Sequence, residues 1–233
     1  MISRLELGDV TVDVVLKDIK NVHLSVHPPT GRVHISAPHT TDLDTIRVFA
    51  ISKLDWIRRQ QTKLIEQERE TSREYLDLES HYVWGKRYLL VIEESHESRS
   101  IELKHRHVVM RVRRSTGRAR RDALMEQWYR EQLKAAIPAR LARWQPLMGV
   151  EVERFFVQRM KTMWGSCNHK ARTIRLNTEL ARKPVECLEY IIVHELAHLI
   201  EPTHNARFIA LMDGLMPRWR SHRDVLNRLP IRH

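Results

Sequence analysis

His194, Glu195 and His198 stand in the order H-E-x-x-H. On a helix, residues four apart lie one above the other on the same face, so the two imidazoles there can share one ion. Zinc takes neutral imidazole nitrogen in tetrahedral geometry, and a hydrolytic site leaves one position to water. Glu195, next to the first ligand, is placed to take that water's proton while the ion lowers its pKa to about 7. The blander alternative is a pair of exposed helix histidines. Against it, Leu188, Ile191, Ile192, Leu196, Leu199 and Ile200 form an apolar stripe that predicts a packed helix from about Val185 to Glu201.

A third ligand has two serious candidates. Glu201 continues the helical stripe, but another turn carries it roughly 4 to 5 Å beyond the second ligand, which suits a supporting role. Pro202 cannot continue the hydrogen bonding of a helix and biases Glu201 away from it, so the chain is expected to turn at 201–203 and return His204 to the ion. His204 is therefore preferred, with His222 a weaker third choice. Three histidines with water describe an open, hydrolytic zinc site holding one Zn2+ per chain, with Glu195 as general base. The expected function is a zinc-dependent hydrolase of the metallopeptidase type acting on proteins or peptides. A nucleotide phosphoanhydride is the alternative substrate for the same water.

The elements around the motif are read from periodicity. A strand at Phe155–Gln158, a loop at Trp164-Gly165-Ser166-Cys167 and a short strand at Thr173–Leu176 precede the motif helix. The loop reads as a turn with a buried tryptophan, and nothing in the sequence supplies Cys167 with a partner base for nucleophilic work. Leu124, Trp128, Leu133, Ala136 and Ile137 predict a helix that Pro138 kinks or ends.

Upstream, Val10–Val15, Val22–Val26 and Val33–Ala37 read as antiparallel strands, the last two joined by a hairpin at Pro28-Pro29-Thr30-Gly31. Thr41-Asp42-Leu43-Asp44 opens one long helix reaching the sixties, followed by a polar face or connector from Gln60 to Arg73. Further strands are expected at Tyr82–Trp84, Tyr88–Ile92 and Val108–Val112, and no internal repeat is visible. The fold class is α+β: a mainly-β N-terminal subdomain with one long helix over 1–115, then a helical subdomain with a small sheet over 116–233.

The chain has 233 residues and a net charge of +11, which favours polyanionic partners. The excess is densest from Lys104 to Arg121, where Arg111, Arg113, Arg114, Arg118, Arg120 and Arg121 are either a solvated face or a patch for nucleic acid or nucleotide. No helix-turn-helix, zinc-finger or RNP pattern accompanies them, so a DNA-associated protein or protease is a secondary reading. Cys167 and Cys187 alone make neither a disulfide framework nor a four-thiolate zinc site. Charges at Arg4 and Glu6 and the lack of a membrane-length apolar run make the cytoplasm the default expectation, with no membrane partner expected.

Several segments together resemble the YgjP-like zinc metallopeptidase family, related more distantly to SprT-like and WLM-type metalloproteases. They are Met163-Trp164-Gly165-Ser166-Cys167, Ile174-Arg175-Leu176-Asn177, and His194-Glu195-Leu196-Ala197-His198 with His204 and Phe208; Val33–Pro38 and Lys53–Ile57 match earlier in the chain. The resemblance implies a zincin-like metallopeptidase subdomain, His194, His198 and His204 as ligands, and Glu195 as base. It also implies that Trp164, Gly165, Ser166 and Cys167 border the cleft where substrate binds. Ile209, where the family more often has an aromatic, and Pro202, where it is more often polar, are departures that bear on the shape of the substrate pocket.

Overall fold

The computed structural model describes residues 2–27, 30–66, 73–96, 99–160 and 163–228. The chain divides into two compact units, Met1–Arg69 and Glu70–Arg232. The change from strand to helical periodicity suggests a division at 115/116. The strands that follow Glu70 instead share one apolar core with the helices of the C-terminal half: Val83, Leu90, Val108 and Met110 are buried with Met125, Tyr129, Leu133 and Leu188.

In the first unit, β1 (Ile2–Leu7), β2 (Val10–Lys17), β3 (His23–His27) and β4 (Arg32–Pro38) form a sheet in the order β1-β2-β4-β3. The expectation of antiparallel strands throughout is corrected at its centre, where β2 and β4 run parallel, Val12 opposite Val33 and Val14 opposite Ile35. Alternation alone cannot distinguish the two pairings, because it sets which face is apolar and not which way the neighbour runs. Val12, Val14, Val33 and Ile35 are fully or nearly fully buried against Ile46, Ala50 and Ile57.

Those last three residues come from α1 (Leu43–Ser52) and α2 (Leu54–Glu66). The expected single helix is thus two, broken at Lys53, whose N–H turns back to the Ala50 carbonyl at 3.1 Å. Ser52 Oγ donates to the Phe49 carbonyl at 2.7 Å, the local side-chain competition that weakens a helix at serine. Asp42 caps α1 by accepting from Thr45 N–H at 2.8 Å. Of the proposed hairpin turn, Pro28 and Pro29 lie outside the described residues; Gly31, at φ +72°, completes it by donating to the His27 carbonyl at 3.0 Å. The polar stretch from Gln60 to Arg73 is described only to residue 66 and again at 73.

The second unit opens on the same plan. β5 (Ser80–Val83), β6 (Lys86–Glu94), β7 (Ser100–Lys104) and β8 (His107–Val112) are ordered β5-β6-β8-β7, with β6 and β8 parallel and both outer pairs antiparallel. An internal repeat therefore exists in topology where none is visible in sequence. Each sheet needs only the same apolar alternation and a tight first turn, at Gly8 and at Gly85, and many sequences satisfy both.

From Gly117 the chain enters α3 (Arg118–Met148), which continues through Pro138 and Pro146. Each proline removes a helical hydrogen bond, a cost of about 3 kcal/mol in an isolated helix. Ile137, Leu141 and Trp144, buried along the inner face, keep the segment helical on both sides of Pro138. β9 (Arg154–Gln158), β10 (Gly165–Asn168) and β11 (Thr173–Asn177) make a third sheet, ordered β10-β11-β9 and leaving β10 at its edge. A short 3-10 turn, Thr178–Arg182, leads into α4 (Val185–Ala197), followed by α5 (Ala206–Leu215) and α6 (Trp219–Arg228). The architecture is α+β. Among the described residues no helix is long and apolar enough to cross a membrane.

Candidate metal centre

The motif helix α4 buries Leu188, Ile192, Val193, Leu196 and Ala197, and this fixes which face carries the histidines. It ends earlier than expected, at Ala197 rather than Glu201. His198 is its C-cap but keeps helical angles, φ −68° and ψ −15°, so the four-residue spacing survives. The ring centroids of His194 and His198 lie 4.8 Å apart. Beyond them Ile200 and Glu201 N–H both bond the Ala197 carbonyl, at 3.0 and 2.8 Å, and the chain leaves the helix before Pro202.

His204 comes back across this turn. Its Nε2 lies 3.0 Å from His194 Nε2, and one nitrogen from each of His194, His198 and His204 falls within 4.8 Å of the others. The return is held from three sides. Glu201 accepts at Oε1 from Thr203 N–H at 3.3 Å and from its hydroxyl at 3.0 Å, which occupies its carboxylate within the turn. Asn205 caps α5 by accepting from Phe208 N–H at 3.0 Å. Phe208, fully buried, then packs its ring 4.7 to 5.0 Å from all three imidazoles.

The donor set suits a borderline cation such as zinc. Burial and the two neighbouring histidines push His194 down to about 3, and burial also lowers His198, so both are neutral lone-pair donors at pH 7. His198 Nδ1 donates to the Glu201 carbonyl at 3.1 Å; a carbonyl only accepts, so this contact assigns the ring hydrogen to Nδ1 and leaves Nε2 for a ligand. His194 Nδ1 is buried with no hydrogen-bond partner among the described residues, so its only polar outlet is the Nε2 that faces His204.

Glu195 points from the same helix toward β10 and is only 4% exposed. Burial pushes its carboxyl up to about 8, the response of an acid with no cation beside it. A divalent ion on the adjacent histidines would restore its charge. Both sides line a cleft of about 470 Å³, bordered by Trp164, Gly165, Ser166 and Cys167 on one side and by Tyr190, Arg223 and Leu226 on another. Trp164, expected in a turn, lies just before the edge strand β10. Burial and the nearby Glu195 push the Cys167 thiol up to about 11, which leaves it protonated and a poor nucleophile.

Asn177 and Arg223 escaped the sequence reading, and Gly165, expected at the border of the cleft, has a contact with Glu195 that was not foreseen. Gly165 lies against the Glu195 carboxyl, so closely that a Cβ there would meet Oε1 at 2.5 Å. Asn177, 4% exposed, donates from Nδ2 to the carbonyls of Met160 and Met163, each at 2.8 Å, and so holds the approach to Trp164. Arg223 reaches the cleft from α6. A buried asparagine at a strand end was a detectable signal; the other two depend on contacts distant in sequence.

The basic segment does not join this site. Arg111 pairs with Glu93 at 2.8 Å and Glu102 at 3.2 Å on the β6-β8-β7 surface. Arg118 pairs with Glu74 at 3.0 Å, and Arg121 donates to the Tyr75 carbonyl at 2.9 Å. Arg113, Arg114 and Arg120 are exposed around the start of α3. Much of the charge is thus spent within the fold, and none of the six lines the cleft.

Comparison with known proteins adds an independent observation. The family model described as the YgjP-like metallopeptidase domain matches residues 20–229. No curated protein matches the sequence. Among solved structures, the crystal structure of the metallopeptidase zymogen of Pyrococcus abyssi abylysin is similar over 40% of this chain and 97% of its own, with 22% identity and a TM-score of 0.36.

Proposed function

The chain belongs to the YgjP-like metallopeptidase family, and from that premise we propose that it cleaves peptide bonds at a single zinc ion held by His194, His198 and His204, with Glu195 as the general base. Membership makes it a hydrolase of the zinc metallopeptidase type and implies a divalent metal, typically zinc, and a protein or peptide substrate. The ligand set, the base and a zincin-like layout of the helices around them are the proposal. One observation carries it: three imidazoles converge within 4.8 Å, and the residue after the first of them is a buried carboxyl facing the same cleft.

When bound, zinc supplies Lewis acidity that polarises a carbonyl and acidifies water. The chain's own residues do the rest. Glu195 accepts the proton of the attacking water and passes it to the leaving amine, a shuttle that a carboxyl easily moved between its two states performs well. Gly165–Asn168, just after Trp164, form an edge strand whose outer backbone can pair with an extended peptide. The phosphoanhydride alternative needs several cations around a triphosphate, whereas Arg223 is the one permanently charged cation among the described residues lining the cleft. The test is incubation of the metal-loaded protein with an unfolded polypeptide. Cleavage should disappear with Glu195→Gln and with chelation, and cleavage persisting in that variant would refute the assignment.

A further inference from the structure

Among the described residues that line the cleft, one is acidic and one is a permanent cation: Glu195, buried beside the histidines, and Arg223, from α6. Between and around them the lining is largely apolar, with Met163, Trp164, Ile191, Pro202 and Leu226. An arginine held over such a surface is weakly hydrated and presents a planar fork of donors suited to a carboxylate.

Its position is set by the fold. Trp219, Arg223 and Leu226 follow one another at i, i+4 and i+7 along α6, and the first and last are buried, so the arginine stands on the inward face at the cleft's rim. Its guanidinium carbon lies 5.1 Å from the Trp219 ring centroid. Trp219 in turn stacks on Tyr190, centroids 6.2 Å apart and planes at 17°, and the Tyr190 ring is 5.8 Å from that of His194. A continuous line of packed rings therefore links Arg223 to the first proposed ligand.

Its charge remains available. Arg220 also lies over Trp219, at 4.6 Å, but Asp213 engages it through both guanidinium nitrogens. Among the described residues the acidic group that Arg223 meets is Asp224, its neighbour on the helix, at 3.4 and 3.5 Å, the outer limit of a hydrogen bond between residues that do not face each other.

We infer that Arg223 is a specificity-determining residue that binds a carboxylate of the peptide substrate, so that the enzyme prefers substrates carrying one near the scissile bond. The inference rests on the peptidase reading above. A peptide offers that group as an Asp or Glu side chain or as its own C-terminus, and the chemistry at Arg223 is the same for both.

The test uses the full-length, zinc-loaded protein and short labelled peptides that differ in one feature, Glu against Gln at a flanking position or free acid against C-terminal amide. Wild type should favour the charged member of one pair by about ten- to a hundredfold in kcat/KM, mainly through KM, as expected for a charge-assisted hydrogen bond. Arg223→Gln should collapse that ratio toward one, Arg223→Lys should retain part of it, and Arg223→Glu should invert it toward Lys-containing peptides. Arg172→Gln, which removes the same charge outside the cleft, should keep the wild-type ratio. The pair that discriminates identifies the source of the carboxylate. No discrimination in either pair, or discrimination that survives Arg223→Gln, overturns the inference. Binding of the same peptides to the Glu195→Gln protein, followed by fluorescence anisotropy, should show the same Arg223-dependent ratio. This readout decides the inference even if cleavage persists in that variant and the peptidase reading falls.

Discussion

Glu195 and Gly165 meet across the space between α4 and β10 with no room for another carbon: a Cβ on residue 165 would lie 2.5 Å from Glu195 Oε1 and 2.9 Å from Cδ. The glycine is needed for what it lacks, since its φ is unexceptional and the constraint is close approach. Gly165→Ala should push the carboxyl off its seat or pry the edge strand away. Peptide cleavage should fall by at least about a hundredfold, the loss expected when a catalytic group is misplaced by an ångström. Metal content measured by atomic emission should remain near one equivalent. Full activity in Gly165→Ala would mean that the carboxyl works from some other position.

The metal-free protein should have a peaked stability profile. Glu195, raised in the fold to about 8, holds its proton more tightly folded than unfolded, so its contribution is fully present at low pH and is lost as pH rises through about 8. His194, lowered to about 3, behaves oppositely; its contribution is present above the unfolded histidine value and is lost as pH falls through about 3. The two slopes oppose each other at mildly acidic pH, and the carboxyl alone acts from neutrality to about 8. Urea unfolding of chelator-treated protein should show stability decreasing over that upper window, and Glu195→Gln should flatten it. A slope unchanged by the substitution would place its origin elsewhere.

The third ligand can be decided by metal retention. His204→Ala removes a nitrogen that faces His194 at 3.0 Å, whereas Glu201→Ala removes a carboxylate already engaged by Thr203. His204→Ala should weaken zinc binding by more than roughly a hundredfold, the upper end of what an outer-sphere partner costs. Glu201→Ala should weaken it by less than about tenfold, because its backbone carbonyl, the acceptor for His198, is retained. Competition with a chromophoric chelator measures both, and the reverse order would reassign the ligand.

Asn177 is a structural prediction with a functional readout. Its side chain donates to two carbonyls in the approach to Trp164, and its oxygen accepts from Glu179 N–H at 3.2 Å. Asn177→Ala should cost about 2–3 kcal/mol in chemical unfolding, the sum expected for buried groups that lose their partners. KM for a peptide should rise as the segment before the edge strand loosens.

How far the sequence could be read followed the range of the interactions. One helical turn places the His194 and His198 rings side by side, and Pro202 forbids the helix from running on past the motif, although it ends already at Ala197; both are local facts. The parallel pairing of β2 with β4 and of β6 with β8 is not local, and alternation is indifferent to it. At Pro138, expected to kink or end its segment, the helix does not end. The proline's local preference against helix is real, but burial of Ile137 and Leu141 outweighs it. Gly165 and Arg223 acquire meaning only once α4, α6 and β10 are brought around one cleft.

Phe208 has a last consequence for the order of events. Its ring packs against all three imidazoles from within the core, so hydrocarbon contacts help to hold their orientation whether or not a cation is bound. The expected maturation has two separable stages, with the polypeptide first acquiring its native architecture and the ion afterwards entering a ready-made cradle. Small finger domains do the opposite and collapse when stripped. Dialysis against a chelator should spare the circular dichroism of this protein, and zinc added back should reload it without a refolding delay.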